Sequence, residues 1–563
     1  MTVLVMKIQV KHEIQPGESL TSQQIVDLLL TDRGITDTKE FLHPKSPTTM
    51  DIRDFDPSYA KQMDHVLKLL EKIRAENGMI VVYTDYDADG VTGGAILWET
   101  LHLLGFKTMP YVPHRVHEGY GFSKKGIDNV KKEFNPSLII SVDHGIAARE
   151  KIEYAKSIGI PIIVTDHHMK PDLGPDQAEA IFHIPLLSGS GVSYFFSKAI
   201  YDHFKTKVEP AQALPLSIYF QYDYQALATI GTVADLVPLV GPSRSLVYHG
   251  LNAFSKMKRY GIKEILSSAG YENRVITPYE IGFIIAPRIN AIGRLEHALD
   301  ALRLLCTTNE DRARALASRI GDTNTERQDL VKTAIAQALK QMEKEYGEDV
   351  PNIIVLKSDK WHEGIIGLIA SKIVEKYYRP TIVMTKTAGH YKASARSIPP
   401  FHITEFFKKN RELFVEMGGH AQAAGFLVSD EKLPELMNVI TETAKTAFTE
   451  ADLERIITAD LKIPVTSLTL DLARTITDLA PFGIGNPHPV FLSNVAVTSP
   501  RTMGKTKDHL KFFSPNNVEF VCFGKGDMCA ELGSGGERDV IYKLEINNWN
   551  GDQRLQGKVV HML

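Results

Sequence analysis

The segment VVYTDYDADGVTGGAIL, Val81 to Leu97, carries three aspartates at alternate positions between an apolar run and a glycine-rich turn. They are Asp85, Asp87 and Asp89. Carboxylates this close repel one another, and burying them costs free energy unless a cation neutralises them. A short apolar run that ends at a turn is typical of a buried strand. The segment therefore predicts a strand, a turn and a helix around a site that expects positive charge.

The apolar run that ends at Asp85 is one of three runs with the same form. The runs MIVVYTD, SLIISVD and IPIIVTD end on Asp85, Asp143 and Asp166, and helical stretches separate them. Strands that alternate with helices predict an α/β domain with a doubly wound parallel sheet. The carboxyl ends of such strands form the ligand crevice, so we expect these carboxylates to meet there.

Imidazoles join the carboxylates at the same strand ends. SVDHG adds His144 and VTDHH adds His167 and His168, while ALATIGTVADLVPL brings Asp235, which we interpret as a fourth acidic strand end. Mixed Asp and His donors suit divalent first-row metals, with Mn²⁺ favoured over Mg²⁺. The donors exceed what one ion needs, so the sequence predicts two ions that share a bridging carboxylate.

A simpler interpretation exists for each residue alone. A single aspartate after a strand usually caps a helix, and an adjacent histidine pair usually lies on the surface. Four acidic run ends in one α/β unit, with His167 and His168 among them, are hard to explain by capping. The constellation as a whole favours a metal site.

The bulk properties are those of a globular chain of several domains. The 563 residues are 43% hydrophobic and carry a net charge of −4, which argues against non-specific coating of nucleic acid. The three cysteines fit neither a disulfide framework nor a CxxC metal site, so we expect a reducing, cytoplasmic setting. The N-terminal apolar run is too short for a signal peptide, and no segment predicts a membrane span.

The chain divides into five predicted regions. These are a helical N-terminal lead-in (1–75), an α/β domain (76–310), a connector helix (311–348), a smaller α/β domain (349–452) and a β-rich domain that suggests a small barrel (453–563). Lys372 to Arg411, within the fourth region, holds nine Lys or Arg against two Glu. This basic stretch is either a solvated face or a surface for an anionic ligand.

The motifs resemble a known family. DYDADG, SVDHG, VTDHH and GTVADLVPL are similar, in this order, to the four motifs of the DHH phosphoesterase superfamily. RINAIGRL, WHEGIIGLIASKI, SARS, GGHAQAAGF and PFGIGNPHPVF resemble its RecJ branch of single-strand-specific exonucleases. The resemblance covers nearly all of the chain beyond residue 75. It implies a DHH domain, a long connecting helix, a DHH-associated domain and a C-terminal OB-fold.

The same resemblance implies which residues form the metal site. The implied metal ligands are Asp87, Asp89, Asp143, His167 and Asp235. His168 would lie beside them, and the implied catalytic residues are Asp143, His167, His168 and His420. Asp85 and Asp166 are either ligands or groups that orient imidazoles and waters, and the role of His144 is likewise open.

Residues for the nucleic-acid strand are implied in the same way. Gly418 and Gly419 would let backbone amides approach a phosphate, to which His420 would donate, although GGH alone predicts a tight turn as readily. Arg115, Ser394 and Arg396 would seat a 5′-terminal phosphate and so impose 5′→3′ polarity.

Several other residues have two interpretations each. Arg288, Asn290 and Arg294 would either grip the strand backbone or cap the connector helix. Aromatic side chains would either stack on bases or lie in the core. These aromatic residues are Tyr120, Trp361, Phe512, Phe513 and Trp549, with Lys511 beside two of them.

The resemblance implies a 5′→3′ exonuclease on single-stranded DNA that releases 5′-mononucleotides with two Mn²⁺ or Mg²⁺ ions in recombination and repair. The expected partners are the single strand and a helicase or single-strand-binding protein that delivers it, and we expect a monomer. Two rivals remain: a phosphodiesterase for short or cyclic oligonucleotides, and an inactive scaffold. The family pattern is weaker at Ala180–Phe196 and at Ser243-Arg244.

Overall fold

The computed structural model describes residues 6–15, 18, 20–115, 117–272, 274–387, 389–533, 535–549 and 552–563. The chain forms two compact units. One comprises Met1–Gln9 with Asn324–Thr458, and the other comprises Val10–Thr323 with Ala459–Leu563. No helix among the described residues is long and apolar enough to cross a membrane.

The first 75 residues are not wholly helical, which differs from the expected lead-in. The elements are β1 (Met6–Glu13), α1 (Ser22–Asp32), α2 (Thr38–Leu42) and α3 (Tyr59–Ala75), with 3-10 turns at Pro47–Thr49 and Ile52–Asp54. Apolar side chains alternate along β1, and the strand lies beside Arg455–Lys462 in the C-terminal sheet. Helix α1 buries Leu29 and Leu30 in the hydrophobic core of the C-terminal domain.

The next region contains the predicted parallel sheet. Its strands are β2 (Ile80–Thr84), β3 (Thr108–Tyr111), β4 (Leu138–Val142), β5 (Ile162–Asp166) and β6 (Ala180–His183). Their order is β3-β2-β4-β5-β6 and each neighbouring pair is parallel. The order reverses between β2 and β4, which is where a ligand crevice forms in such sheets.

Helices surround this sheet and continue beyond it. They are α4 (Ala88–Leu103), α5 (Lys124–Phe134), α6 (Arg149–Ser157), α7 (Gly189–Phe204), α8 (Pro210–Gln221), α9 (Asp223–Ala234), α10 (Gly241–Ala253), α11 (Tyr260–Ser268), α12 (Pro278–Glu280), α13 (Ala286–Leu295) and α14 (Leu299–Cys306), with a π-helical turn at Ile281–Ile285. One core of fully buried side chains joins strands to helices, and it includes Val82, Ile140 and Phe196.

The connector is one uninterrupted helix, α15 (Glu310–Glu345), with no break at Gly321. A second α/β unit follows. Its elements are β7 (Ile354–Lys357), α16 (Ile366–Tyr377), β8 (Thr381–Thr387), β9 (His390–Arg396), α17 (Ile403–Lys409), β10 (Glu416–His420), β11 (Ala423–Ser429) and α18 (Leu433–Thr446). The sheet order is β10-β11-β9-β8-β7, and only β7 and β8 are parallel.

The C-terminal domain is β-rich, as predicted. Its elements are β12 (Arg455–Lys462), α19 (Leu470–Thr477), β13 (Phe491–Ala496), β14 (Thr498–Met503), β15 (His509–Phe513), β16 (Glu519–Cys522), α20 (Cys529–Leu532), β17 (Glu537–Trp549) and β18 (Asp552–Met562). With β1 they form one sheet in the order β1-β12-β13-β17-β18-β16-β15-β14. Phe512 stacks on Phe520 in the core, so it is not available to a base. The side chain of Trp549 lies outside the described residues.

Candidate active site

The turn after β2 is stabilised by contacts of Asp85 and Asp87, which lie within the turn itself. Asp87 caps α4, because its Oδ1 accepts the N–H of Asp89 at 2.9 Å and that of Gly90 at 3.1 Å. A Cβ on Gly90 would lie 2.7 Å from the Asp85 carbonyl oxygen, so only glycine fits there. The DYDADG segment is thus folded tightly, and its three carboxylates stay close together.

Asp89 is held by the start of a different helix. Its Oδ2 accepts the N–H of Gly189 at 2.6 Å, and its Oδ1 accepts the N–H of Ser190 at 2.9 Å. The first turn of a helix offers free N–H groups and a positive dipole end, which suit a buried carboxylate. The sequence interpretation missed this contact. Its signal was the segment Ser188–Gly191, a capping serine followed by Gly-Ser-Gly before an apolar helix.

Asp143 follows β4 in a conformation that few residues adopt. Its φ is +69°, in the left-handed region, and it is 2% exposed. Such backbone strain persists where the surrounding structure enforces it, and it is concentrated at functional sites. A Cβ on Gly189 would lie 2.5 Å from the Asp143 Cγ, so α7 packs directly on this carboxylate.

His167 lies at the centre of the acidic cluster. Its Nε2 is 3.1 Å from Asp143 Oδ1, 3.4 Å from Asp235 Oδ2 and 3.8 Å from Asp89 Oδ2. Asp235 ends helix α9, so our interpretation of it as a strand end is wrong, although the residue does reach the site. Three carboxylates far apart in sequence therefore meet around one imidazole nitrogen.

Asp166 organises the histidine pair from behind. Its Oδ1 accepts the N–H groups of His167 and His168 at 2.7 and 3.0 Å and meets His168 Nδ1 at 2.8 Å. Its Oδ2 accepts the N–H of Ile146 at 2.8 Å. Burial raises the pKa of Asp166, but the hydrogen bonds from His168 and the backbone outweigh it and leave the pKa below its ordinary value. Of the two interpretations of Asp166, these contacts match the one in which it orients imidazoles.

His168 is engaged at both ring nitrogens. Nδ1 meets Asp166, and the Tyr120 hydroxyl lies 3.1 Å from Nε2. Burial lowers the pKa of His168, but the Asp166 hydrogen bond and neighbouring carboxylates raise it to about 9. Tyr120 is 53% exposed, so it borders the site from the solvent side.

His144 turns away from the metal-ligand cluster. Its Nε2 lies 3.0 Å from the Tyr83 carbonyl oxygen, and its ring packs edge-on against Tyr83 and Phe122. Burial lowers the pKa of His144 to about 4, so the imidazole is neutral at physiological pH. The role of His144 was open from the sequence. In the structure its ring packs beneath the site and does not face the carboxylates.

The carboxylates are poorly compensated by protein groups alone. Burial, followed by the charge of neighbouring aspartates, raises the pKa of Asp85, Asp87 and Asp143, and raises that of Asp235 to about 8. Among the described residues of this cluster, three buried ligand atoms have no hydrogen-bond partner: Asp85 Oδ1, Asp143 Oδ1 and His167 Nε2. Orphaned buried acceptors that face one another fit divalent cations.

Three donor groups in this cluster are compact enough to hold an ion. They are Asp89, His167 and Asp235; Asp143, His167 and His168; and Asp85, Asp87 and Asp143. The ligand atoms within each group lie within 4.8 Å of one another. Asp143 and His167 each belong to two groups, so the arrangement accommodates a pair of ions with a shared ligand.

The RINAIGRL motif lies directly against the metal-site turn. Asn290 Oδ1 accepts the N–H of Ala88 at 2.7 Å, so this side chain supports the residue next to Asp87. A Cβ on Gly293 would press on the Tyr86 carbonyl oxygen. The Arg115 guanidinium lies 4.9 Å from the centre of the Tyr86 ring.

Arg288 and Arg294 differ in their surroundings. Arg288 donates to the Ile284 carbonyl at 2.9 Å, and within the described part of the chain its Nε is buried without a partner. Burial lowers the pKa of Arg288. The Arg294 side chain is half-buried close to Tyr86. Burial raises the pKa of Tyr86, and the charge of Arg294 opposes part of that rise.

A second group of predicted residues lies in the second α/β unit, which contains β9 and α16. Arg396 Nη1 meets Ser394 Oγ at 3.1 Å on β9. A Cβ on Gly367, in the first turn of α16, would lie 2.9 Å from Ser394 Oγ and 3.1 Å from Arg396 Nη2. A helix start, a hydroxyl and a guanidinium thus border one small space, which is the chemistry of an anion site.

The glycine-histidine motif lies on the same sheet. Register pairs Gly418 with Gly425 and Gly425 with Ser394, and pairs His420 with Ala423 and Ala423 with Arg396. Directly paired residues share a face, so the His420 and Arg396 side chains are on one side of the sheet. Gly419 has φ +138°, which favours glycine.

Two other expectations have clear outcomes. Trp361 is 4% exposed and donates from Nε1 to Gln337 at 2.9 Å, so it belongs to the core and not to a stacking surface. At the atypical pair Ser243-Arg244, Arg244 is fully buried and donates to the carbonyls of Phe41 and Ala480 at 2.6 and 2.9 Å. Ser243, where the family usually has Asn, donates from its hydroxyl to the Leu186 carbonyl at 2.6 Å, so this departure is a packing contact.

Comparison with known proteins agrees with this geometry. Family models match the DHH family N-terminal domain over residues 79–219, the DHHA1 domain over 351–446 and the RecJ OB domain over 459–561. The single-stranded-DNA-specific exonuclease RecJ of Bacillus subtilis is 33% identical over 96% of this chain and 68% of the relative. The protein of the same name from Salmonella typhimurium is 30% identical over 88% of this chain and 89% of the relative.

The chain belongs to the RecJ family. The solved structure of RecJ in complex with Mn²⁺ from Thermus thermophilus is 28% identical, covers 99% of this chain and 79% of its own, and has a TM-score of 0.80. The Mg²⁺ complex of the same protein has a TM-score of 0.73 at 27% identity. The predicted RecJ fold class, with DHH, DHH-associated and OB domains, is confirmed.

Proposed function

We propose that this RecJ-family chain is a metal-dependent exonuclease that degrades single-stranded DNA from the 5′ end and releases 5′-mononucleotides. The observation that carries the proposal is the convergence of Asp89, Asp143 and Asp235 on His167, with distances of 3.1 to 3.8 Å to its Nε2. The family supports the same activity, since its curated members are named single-stranded-DNA-specific exonucleases.

The residues at the metal site take distinct roles. Asp87, Asp89, Asp143, His167 and Asp235 would hold the two ions, Mn²⁺ preferably or Mg²⁺, with Asp85 within reach of a ligand position. When bound, such ions lower the pKa of a water and neutralise the phosphate oxygens. Asp166 fixes the orientation of the imidazoles through its hydrogen bonds to His167 and His168.

His168 would add positive charge near the phosphate. Burial lowers its pKa, but the Asp166 hydrogen bond and neighbouring carboxylates outweigh that and favour the protonated imidazole, beside the Tyr120 hydroxyl. A protonated imidazole and a phenol can donate hydrogen bonds to an anionic substrate without giving up a proton in the ground state. We therefore assign His168 to stabilising the phosphate from a position beside the metal ligands.

The anion site on β9 and α16 would define the polarity of digestion. Ser394, Arg396 and the start of α16 suit a 5′-terminal phosphate, and Arg115 is the proposed third member of this set. Gly418, Gly419 and His420 are assigned to the scissile phosphate, which the imidazole would contact. Arg288 and Arg294 would grip the strand backbone, while Asn290 positions the metal-site turn.

The remaining assignments follow from the domains. We place the boundaries at 76–310 for the DHH domain, 311–348 for the connector, 349–452 for the DHH-associated domain and 453–563 for the OB-fold, preceded by residues 1–75. The OB-fold would bind single strands, with Phe513 half-buried and near Lys511 and Arg501. We expect a cytoplasmic monomer that acts in recombination and repair after a helicase or single-strand-binding protein exposes the strand.

A timed digest separates this function from its rivals. Single- and double-stranded DNA of equal length, labelled at the 5′ end, would be incubated with Mn²⁺ or Mg²⁺. Immediate release of labelled mononucleotide from the single strand alone supports the exonuclease. Cleavage of only di- to pentanucleotides indicates a small-substrate phosphodiesterase, and no cleavage with either metal indicates a scaffold.

A further inference from the structure

An exposed aromatic pair lies at the outer end of the helical segment that supports the metal site. Tyr279 is 55% exposed and Phe283 is 66% exposed, and their rings stack with centres 4.8 Å apart at 28°. Large aromatic side chains normally bury most of their surface in a core or an interface. A stacked aromatic pair that remains exposed to solvent is therefore a candidate binding surface.

The backbone beneath the pair is unusual. Phe283 lies in the π-helical turn Ile281–Ile285, between α12 and α13. A π turn within a helix is rare and is found mostly at functional positions. Here it keeps Ile281 and Ile285 buried in the core while Phe283 points outward. The π-helical turn thus presents an aromatic ring to solvent.

The same helical segment ends at the metal-site turn. It runs without a break from Pro278 to Leu295, and Asn290 near its end accepts the N–H of Ala88. At about 1.5 Å per residue, Phe283 and Tyr279 lie roughly 10 and 16 Å from Asn290 along the axis. With about 3.4 Å per stacked nucleotide, this distance spans roughly three to five nucleotides from the metal-site turn.

A positive group lies between the pair and the site. Arg288 reaches back to the Ile284 carbonyl, one residue from Phe283, and no carboxylate lies within 4.0 Å of its guanidinium in the described part of the chain. The nearby Glu280 is occupied by the backbone N–H and hydroxyl of Thr277. Exposed aromatics followed by an uncompensated arginine are the combination that binds single-stranded nucleic acid.

We propose that Tyr279 and Phe283 form a stacking platform for unpaired bases of the incoming strand, about three to five nucleotides from the bond that is cut. The proposal rests on the exonuclease function and names a binding subsite for its substrate. Stacking is tolerant of sequence, because every base presents an aromatic face. The platform would favour single strands over duplexes, whose bases are already stacked on one another.

The test measures binding to 5′-phosphorylated 20-mers of thymidylate by fluorescence anisotropy, with chelator present to prevent cleavage. One 20-mer has all its bases, and another lacks the bases at nucleotides 3 to 6. We expect Tyr279→Ala/Phe283→Ala to bind the complete strand about tenfold more weakly, as for the loss of one stacked base. Wild type should bind the strand with missing bases more weakly than the complete strand by a similar factor. The double variant should bind the two strands with equal affinity.

Two controls keep the outcome specific. Leu214→Ala/Ile218→Ala removes exposed apolar side chains from α8 and should leave both affinities unchanged. Phe283→Tyr retains a ring and should bind as wild type does. The proposal is overturned if the double alanine variant binds the complete strand as tightly as wild type does. It is also overturned if the variant binds both strands more weakly than wild type by the same factor. Failure of wild type to digest single strands would instead refute the exonuclease function itself.

Discussion

Gly189→Ala is the sharpest perturbation of the metal site that avoids every metal ligand. The glycine begins α7, its N–H donates to Asp89, and a Cβ there would lie 2.5 Å from the Asp143 Cγ. The Asp143 Cβ and Oδ1 would be nearer still, at 2.4 Å, and ordinary contact begins at 3.4 Å, so about 1 Å of movement is needed. Either Asp143 shifts, or α7 shifts and draws its N–H away from Asp89.

The expected effect falls on catalysis more than on stability. A displacement of about 1 Å at a reacting centre costs on the order of 10²-fold in rate, so kcat/KM should fall by about that factor. Overpacking typically costs about 1–3 kcal/mol, partly offset by about 0.4–1 kcal/mol from the stiffer unfolded chain. The fold should therefore survive, with the unfolding free energy lowered by at most about 2.6 kcal/mol.

The assay is mononucleotide release from a 5′-labelled single strand over a range of Mn²⁺ concentrations, alongside urea unfolding. Gly321→Ala is the matched control, because it also replaces a helical glycine by alanine, and its Cβ would meet nothing within 4 Å. We expect the control to retain full activity and to gain up to about 1 kcal/mol of stability. Wild-type kcat/KM in Gly189→Ala would refute the packing of α7 on Asp143.

Three further predictions address the supporting groups. Asp166→Asn should reduce Mn²⁺ affinity or activity by about 10–100-fold through misoriented imidazoles; unchanged Mn²⁺ titration curves would contradict this. Gly367→Ala should erase the preference for a 5′-phosphate over a 5′-hydroxyl, because its Cβ crowds Arg396 Nη2 at 3.1 Å, while digestion of 5′-hydroxyl strands persists; a retained preference counts against the anion site. Asp235 has a folded pKa of about 8, raised by burial and by Asp89, so the folded state keeps a proton that the unfolded chain loses above about pH 4. Without metal, the unfolding free energy should thus fall as pH rises from about 4 to 8. In urea titrations, the unfolding free energy of Asp235→Asn should depend less on pH over this range. A wild-type unfolding free energy that rises with pH would contradict the prediction.

The strand ends of the DHH domain could be predicted from the sequence because they are local. The apolar runs of β2, β4 and β5 are short and bounded by turn residues, and each ends at an acidic residue. Asp143, Asp166 and His167 therefore follow from pattern and topology together. Asp235 did not, since an uninterrupted apolar run fits a buried helix as well as a strand, and here it is α9.

Contacts made by distant segments could not be predicted. Asn290 caps Ala88 across 202 positions, and the N–H of Gly189 meets Asp89 across 100. The segment Ser188–Gly191 indicates a helix start with free N–H groups, but the partner of those groups is decided only when the helices pack. Likewise, nothing in SVDHG indicates that the His144 imidazole meets the Tyr83 carbonyl.

One missed element did have a local signal. β1 alternates apolar and polar residues in MKIQVKHE, which is the period of a half-buried strand. The short helical patterns between Pro and Asp breaks over residues 1–75 favoured the helical interpretation of the whole region. The alternation was the better guide, since the strand needs only one face covered by the C-terminal domain.

The central claim is that Asp89, Asp143, His167 and Asp235 hold a pair of catalytic ions. The most direct measurement is anomalous diffraction from crystals of the wild-type chain soaked in Mn²⁺, with Asp143→Asn crystals treated identically. Two peaks among these four side chains, about 3.5–4 Å apart, are expected for wild type. At least one peak should be lost in Asp143→Asn. Manganese bound elsewhere, in crystals of a preparation that digests single strands, would contradict the account.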